Sequence, residues 1–166
     1  DKTGTLTEGH PTVSGWLWAQ TQEECFKNVL LAAEMKSEHP LAGAIVTSLQ
    51  DEEKVVPAPL ESFESITGKG VKVIYEGDLF WVGSHKLLKD FDAIVTDVMA
   101  DMLVQYESEG NGIIYFGREN QLLAIIAVTD AIKSTSSEAV KELRRQGIDI
   151  CMLTGDGQRT ALAVAG

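Results

Sequence analysis

Asp1-Lys2-Thr3-Gly4-Thr5-Leu6-Thr7 opens the chain with a carboxylate followed by small hydroxyl residues and a glycine. A carboxylate can attack the terminal phosphate of a nucleotide and carry it as an acyl phosphate, while a glycine lets the backbone approach that phosphate closely. Far along the chain stands Thr154-Gly155-Asp156-Gly157, again a hydroxyl, a glycine and a carboxylate, directly after an apolar run at 148–153. A continuous apolar run ending in such a turn reads as a buried strand of a parallel sheet whose carboxyl end carries a ligand loop. The two ends are expected to meet in one phosphoryl-transfer site.

Between them the grammar is different. Alternation around Val13, Trp16 and Trp18 predicts a strand over 12–19, and Thr21 with Glu24 forms a capping box for a helix that reaches about 36. Pro40 suits the first turn of a second helix over 41–49, which puts Glu38 and His39 at its start. The acidic, proline-containing stretch 50–59 is a loop. Strands are predicted at 61–67, 71–75 and 79–82, separated by Gly68-Lys69-Gly70 and by a hairpin at Glu76-Gly77-Asp78. Ser84 caps a short helix to 88. A longer helix over 93–107 presents Ile94, Val98, Met102, Leu103 and Tyr106 on its apolar face and ends at Gly110-Asn111-Gly112. Strands at 113–116 and 122–128 pair around Arg118-Glu119-Asn120. These strands predict an antiparallel sheet flanked by helices. The pattern then changes to helix 136–146, with Ala139, Val140 and Leu143 inward, strand 148–153, and a helix from 159 onward, which is a parallel βαβ pattern. The fold class expected is α/β: an antiparallel α+β unit at 13–123 inserted in an incomplete doubly wound domain supplied by 1–12 and 124–166.

The chain has 166 residues, 44% of them hydrophobic and 23% charged, which excludes disorder and is enough for one good core with pieces of a second. Its net charge of −11, from 14 basic and 25 acidic residues, disfavours nucleic acid and anionic membrane surfaces as partners. Cys25 and Cys151 lie far apart with no CxxC pair, so they are expected to be buried thiols in a reducing compartment. The apolar run 122–128 is far shorter than the ~20 residues of a membrane helix, and the polar N-terminus is not a signal peptide.

The heptapeptide Asp1 to Thr7, the later Thr154-Gly155-Asp156 and the segment Ser37-Glu38-His39-Pro40-Leu41-Ala42 together closely resemble the P-type ATPases, and in the third segment their heavy-metal-transporting (type IB) branch. The order and spacing of all three fit across essentially the whole chain. The resemblance implies a haloacid-dehalogenase-like phosphorylation domain carrying an ATP-binding insert, in a cytoplasmic portion of an integral membrane protein. It implies that Asp1 is transiently phosphorylated by ATP with Lys2 beside it, and that Asp1 and the Thr3 backbone carbonyl help bind Mg²⁺. Thr154, Gly155 and Asp156 would hold phosphate oxygens and position nucleotide or cation. Asp130 and Lys133 match the family's Asp-x-x-Lys/Arg spacing. Glu38 and His39 would face the adenine, and Gly68, Gly70 and Gly83 would let the backbone approach the nucleotide. After Val82-Gly83 the branch commonly carries an asparagine, and here Ser84 stands in its place. Partners would be ATP and the transmembrane and actuator domains of the full-length protein. The transported cation, with copper preferred over zinc, cadmium or cobalt, would not be bound by this segment.

Each motif also has a plainer reading. An Asp in a polar loop is usually a turn residue, Asp130 with Lys133 an ordinary surface ion pair, a His-Pro structural, a Gly-x-Gly a hairpin, and Trp16, Trp18 and Trp81 core packing. Two other functions compete: a haloacid-dehalogenase-like phosphatase, and a nucleotide- or partner-binding module without catalysis. Related phosphatases carry a second Asp two residues after the nucleophile, where this chain has Thr3. A phosphoenzyme lacking that base would persist, as a pump needs. The isolated segment is expected to bind ATP and to turn it over slowly or not at all.

Overall fold

The computed structural model describes residues 1–20 and 25–165. The capping box at Thr21 and Glu24 lies outside the described residues. The strands are β1 (Thr12–Trp18), β2 (Ser62–Ile66), β3 (Gly70–Tyr75), β4 (Asp78–Gly83), β5 (Gly112–Arg118) and β6 (Gln121–Thr129). They form one sheet in the order β1-β6-β5-β4-β3-β2, antiparallel throughout. The expected antiparallel sheet is therefore present, and β6 runs unbroken to Thr129 inside it.

Two layers cover the sheet. α1 (Lys27–Glu34) and α2 (Ala42–Gln50) seal one face, with Leu30, Leu31, Ile45 and Leu49 meeting Val73, Phe80, Phe116 and Ile126, all essentially without solvent exposure. On the other face α3 (His85–Asp90) and α4 (Asp97–Ser108) bury Trp81, Leu87, Met99, Tyr115 and Ile125. Alternation along β3 to β6 sends successive side chains to opposite cores, which is why both faces of the central strands are apolar. Trp81 lies parallel to Phe91 at 5.3 Å and donates its indole N–H to the Glu119 carbonyl at 2.8 Å. Each tryptophan is a packing residue, as its plainer reading had it: Trp16 and Trp18 stack on each other at 6.0 Å against the first core.

Several expectations are corrected. The longer helix starts at Asp97 behind Thr96, so Ile94 lies outside it and is 77% exposed, and Val98 is 82% exposed. Leu103 and Tyr106 are turned inward as expected, but Met102 is exposed, and the buried residue of the helix is Met99, with Val95 packed on the same core just ahead of the helix. Pro40 precedes α2 in the turn before it rather than standing in its first turn. The helix at 136–146 is α5 (Ser136–Arg145), but Ala139 and Leu143 are exposed and Val140 only half-buried. Residues 148–153 form no strand, and no parallel βαβ unit exists among the described residues. An apolar run becomes a strand only where a neighbouring strand takes its N–H and C=O groups, and here the Leu153 carbonyl accepts from Lys2 N (3.1 Å) without a ladder following. α6 (Gln158–Ala165) closes the chain's described part. Cys25 and Cys151 are exposed rather than buried, Cys25 just ahead of α1 and Cys151 within the unpaired run.

Candidate active site

The two ends do meet. Residues Lys2–Leu6 make one wide turn, closed by the Thr7 amide donating to the Lys2 carbonyl at 3.2 Å, with Gly4 at φ +75°. Glycine takes that left-handed conformation without the steric cost a Cβ would bring. Asp1 is exposed beside the turn, and its Oδ1 accepts from Lys2 N at 2.9 Å. Lys2 is 7% exposed, and its ammonium pairs with Asp156 Oδ2 at 2.5 Å. Thr154 donates its hydroxyl to the same oxygen at 2.8 Å and accepts from the Asp156 amide at 3.1 Å. The Thr154-Gly155-Asp156 turn is thus folded around its own carboxylate and tied to the Lys2–Leu6 turn by a largely buried ion pair. Such a pair is costly to break by removing one partner, because the other charge is left desolvated.

Asp130 and Lys133 are not paired with each other. Asp130 Oδ2 accepts from the Thr7 hydroxyl at 2.5 Å, and its Oδ1 accepts from the amides of Gly9 and His10 at 3.0 and 3.2 Å. Lys133 donates to the Gly4 carbonyl at 2.8 Å through Nζ and to the Leu6 carbonyl through its amide. Ser136 adds a hydroxyl bond to the Leu6 carbonyl at 2.8 Å. These residues shape the loop that presents Asp1. Thr7, fully buried and hydrogen-bonded to Lys2 O, Gly4 N and Asp130, is the hub that sequence reasoning left out of the site. Its place in the heptapeptide, with an acidic partner following a strand, was the available signal.

Beside Asp1 lies an open cavity of about 430 Å³ walled by Leu6, Val140, Leu143, Ile150 and Met152, with Lys133 at its edge. Thr3 is exposed on the turn, so its carbonyl and the Asp1 carboxylate offer hard oxygen donors. Such donors suit Mg²⁺, which is commonly held by one or two carboxylates together with phosphate oxygens and water. Among the described residues no group of three or more His, Cys, Asp and Glu side chains assembles a self-sufficient metal site.

His39 and Glu38 stand in the turn before α2, both at the surface. The His39 Nδ1 accepts from Leu41 N at 3.2 Å, so the neutral ring carries its proton on Nε2. Removal of water from the ring by its surroundings lowers the His39 pKa, and the negative charge of Asp156 acts the other way. The imidazole is therefore neutral at pH 7, the form that stacks on or hydrogen-bonds to a base. Glu34, which sequence reasoning passed over, is 4% exposed at the end of α1. Burial raises its pKa from the usual 4.5 to about 7, against a hydrogen bond from Ser37 that lowers it. A carboxylate on the inward face of an otherwise apolar helix was the sign in the sequence.

The glycines form a separate corner. Gly70 and Gly83 are cross-strand partners, and the Ser84 amide donates to the Lys69 carbonyl at 2.8 Å. A Cβ on Gly70 would stand 2.1 Å from the Val82 carbonyl oxygen, and one on Gly83 would stand 2.2 Å from that of Lys69. Close backbone packing alone therefore demands both glycines, whereas Gly68 at φ +71° opens to solvent. Ser84 occupies the cap position of α3 but makes no capping bond, and its buried Oγ has no hydrogen-bond partner. No hydrogen bond among the described residues joins this corner to His39.

A haloacid dehalogenase-like hydrolase model matches residues 1–166. The chain is 38% identical over 165 residues to a copper-exporting P-type ATPase of Staphylococcus epidermidis, covering 99% of this chain and 20% of that protein. It is 39% identical over 166 residues to a silver exporting P-type ATPase of Salmonella typhimurium, again 99% of this chain and 20% of that protein. A cadmium-transporting ATPase of Staphylococcus aureus is 37% identical over 169 residues, with 99% and 23% covered. The chain thus spans about a fifth of the length of the curated relatives it matches. Among solved structures, a zinc-transporting PIB-type ATPase in the E2.Pi state superposes with a TM-score of 0.65 at 30% identity, over 99% of this chain and 26% of that one. The catalytic domain of the CPx-ATPase CopB-B shares the fold with a TM-score of 0.72 at 21% identity, over 99% of this chain and 54% of that one.

Proposed function

The chain belongs to the haloacid dehalogenase-like hydrolases, and from that premise we propose that it is the ATP-binding and phosphorylation region of a P-type ATPase that exports a heavy-metal cation, copper being the first to test. The observation that carries this reading is the Lys2–Asp156 ion pair, which joins the nucleophile loop to the Thr154-Gly155-Asp156 turn across 154 positions of sequence. Identity of 37–39% to copper, silver and cadmium P-type ATPases supports the choice among family members.

In this reading 13–123 is the nucleotide-binding unit, and 1–12 with 124–166 belong to the phosphorylation unit. Neutral His39 and buried Glu34 receive the adenine, Glu38 lies at the rim, and the Gly68, Gly70, Gly83 and Ser84 corner borders the nucleotide. Asp1 attacks the γ-phosphorus in line: a carboxylate oxygen forms the new P–O bond, and the bond to the bridging oxygen breaks with its electron pair leaving on ADP. Lys2, and Thr154 with the amides of Gly155 and Asp156, steady the phosphate oxygens, while Thr7, Asp130 and Lys133 hold the loop that aims Asp1. Asp1 and the Thr3 carbonyl would hold Mg²⁺, which would supply screening between the two anions. With Thr3 where phosphatases carry a second Asp, the aspartyl phosphate persists until the rest of the protein acts on it. No helix among the described residues is long and apolar enough to cross a membrane, so transport itself would fall to transmembrane and actuator parts of the longer protein.

The test is acid-stable phosphate incorporation from radiolabelled ATP by the longer protein. Asp1→Asn should abolish it while leaving ATP binding to the isolated chain intact. Undiminished incorporation would remove Asp1 from the mechanism.

A further inference from the structure

α6, which follows the Thr154-Gly155-Asp156 turn, packs on α4 of the sheet rather than on α5. Thr160 is 1% exposed and donates its hydroxyl to the Asn111 carbonyl at 2.8 Å. Asn111 is 4% exposed and fixed on both sides of its amide: Oδ1 accepts from the Ser14 hydroxyl of β1 at 2.6 Å, and Nδ2 donates to the Tyr106 carbonyl of α4 at 3.0 Å. One residue earlier on α6, Arg159 pairs with Glu107 of α4 at 3.1 Å, and one turn later Val164 lies against Gly110. Thr160 and Val164, four apart, present one face of α6 to the end of α4.

These contacts fix where the turn before α6 sits. Asp156 lies on the backbone of Gly112: a Cβ there would meet Asp156 Oδ1 at 3.4 Å and Leu41 Cδ1 at 3.1 Å. Leu41 is bonded through its amide to His39. We infer that Asn111, Thr160 and the Glu107–Arg159 pair form a clasp that positions the Thr154-Gly155-Asp156 turn beside His39, coupling the phosphate side of the site to the nucleotide-binding sheet. None of the clasp residues touches the reacting groups, so each is a positioning residue. The functional meaning of the coupling rests on the ATP-site reading above, whereas its geometry does not.

An imidazole titration followed by proton NMR on the 166-residue protein without nucleotide tests it. Asp156→Asn removes the negative neighbour and should move the His39 midpoint down, setting the full size of the effect. Thr160→Val, which deletes only the clasp hydroxyl, should move it in the same direction, and Thr160→Ser should leave it at the wild-type value. Ser14→Ala, which deletes the hydroxyl that holds Asn111 Oδ1 and changes no charge, should lower it as well. That variant carries the test alone if Thr160→Val does not fold. A His39 midpoint that Asp156→Asn shifts but neither Thr160→Val nor Ser14→Ala moves would overturn the clasp, as would no shift with Asp156→Asn. Failure of the chain to bind ATP would leave this result standing and would count against the ATP-site reading instead.

Discussion

The antiparallel sheet and the segments around it are held together by different forces. In β6, Ala124 to Ala127 have no solvent exposure, and the sheet is closed on both faces by apolar side chains. In 130–165, Ile132 is 51% exposed, Ile148 47%, Leu162 64% and Leu153 74%. What fixes that region is polar: Lys2 to Asp156, Thr7 to Asp130, Lys133 to Gly4, Ser136 to Leu6 and Thr160 to Asn111. Burial is non-directional and rigidifies a whole layer, whereas a few hydrogen bonds fix particular atoms and release them one at a time. The loops proposed to handle phosphate thus lie on the part of the molecule with the least apolar burial, which is where local opening is expected first.

The sharpest way to break this contrast is at the centre of the sheet. Trp81→Ala should cost roughly 3–5 kcal/mol in denaturant unfolding, because a fully buried indole is lost and the Glu119 carbonyl loses its donor. Glu34 comes next. Its folded pKa of about 7 lies above the ordinary 4.5, so the native state holds a proton that the unfolded chain releases between those values. Stability should therefore be full below about pH 4.5 and fall by about 3 kcal/mol as pH rises through 7, and Glu34→Gln should flatten the profile. In the polar region, Thr7→Val should cost roughly 1–3 kcal/mol by leaving Asp130 short of a donor. It should speed amide exchange in 1–10 and 130–136 while sparing β5 and β6. Comparable acceleration of exchange in both regions would mean that they unfold as one unit. The smallest effect belongs to Ser84→Ala: its hydroxyl has no partner to lose, so stability should stay within about 0.5 kcal/mol, and a fall in ATP affinity measured by calorimetry would assign that hydroxyl to the nucleotide.

The same contrast explains what the sequence disclosed. Strands β2 to β6 were readable because alternation and glycine turns are local properties that the sheet then uses unchanged. α4 was readable as a helix but only partly in phase: Leu103 and Tyr106 face inward as expected, whereas Val98 and Met102 are exposed and Met99 is buried, a choice that only the packing makes. The run 148–153 had the composition of a buried strand, yet strand formation depends on a neighbour that no composition reports. In the site, the meeting of Asp1 and Asp156 followed from motif chemistry. The bonds of Thr7 to Asp130 and of Asn111 to Ser14 and Thr160 join residues far apart in sequence, which no local window contains, whereas the buried carboxyl of Glu34 left its sign on the apolar face of its own helix.

The facing pair Gly70 and Gly83 has a genetic corollary. A side chain at either position would run into backbone, at 2.1 Å and 2.2 Å, rather than into a neighbour that could be trimmed. Its cross-strand partner is already glycine, so no second-site change within the pair can relieve the clash. Loss-of-function alleles at these two codons should therefore yield revertants but no intragenic suppressors at the opposite codon.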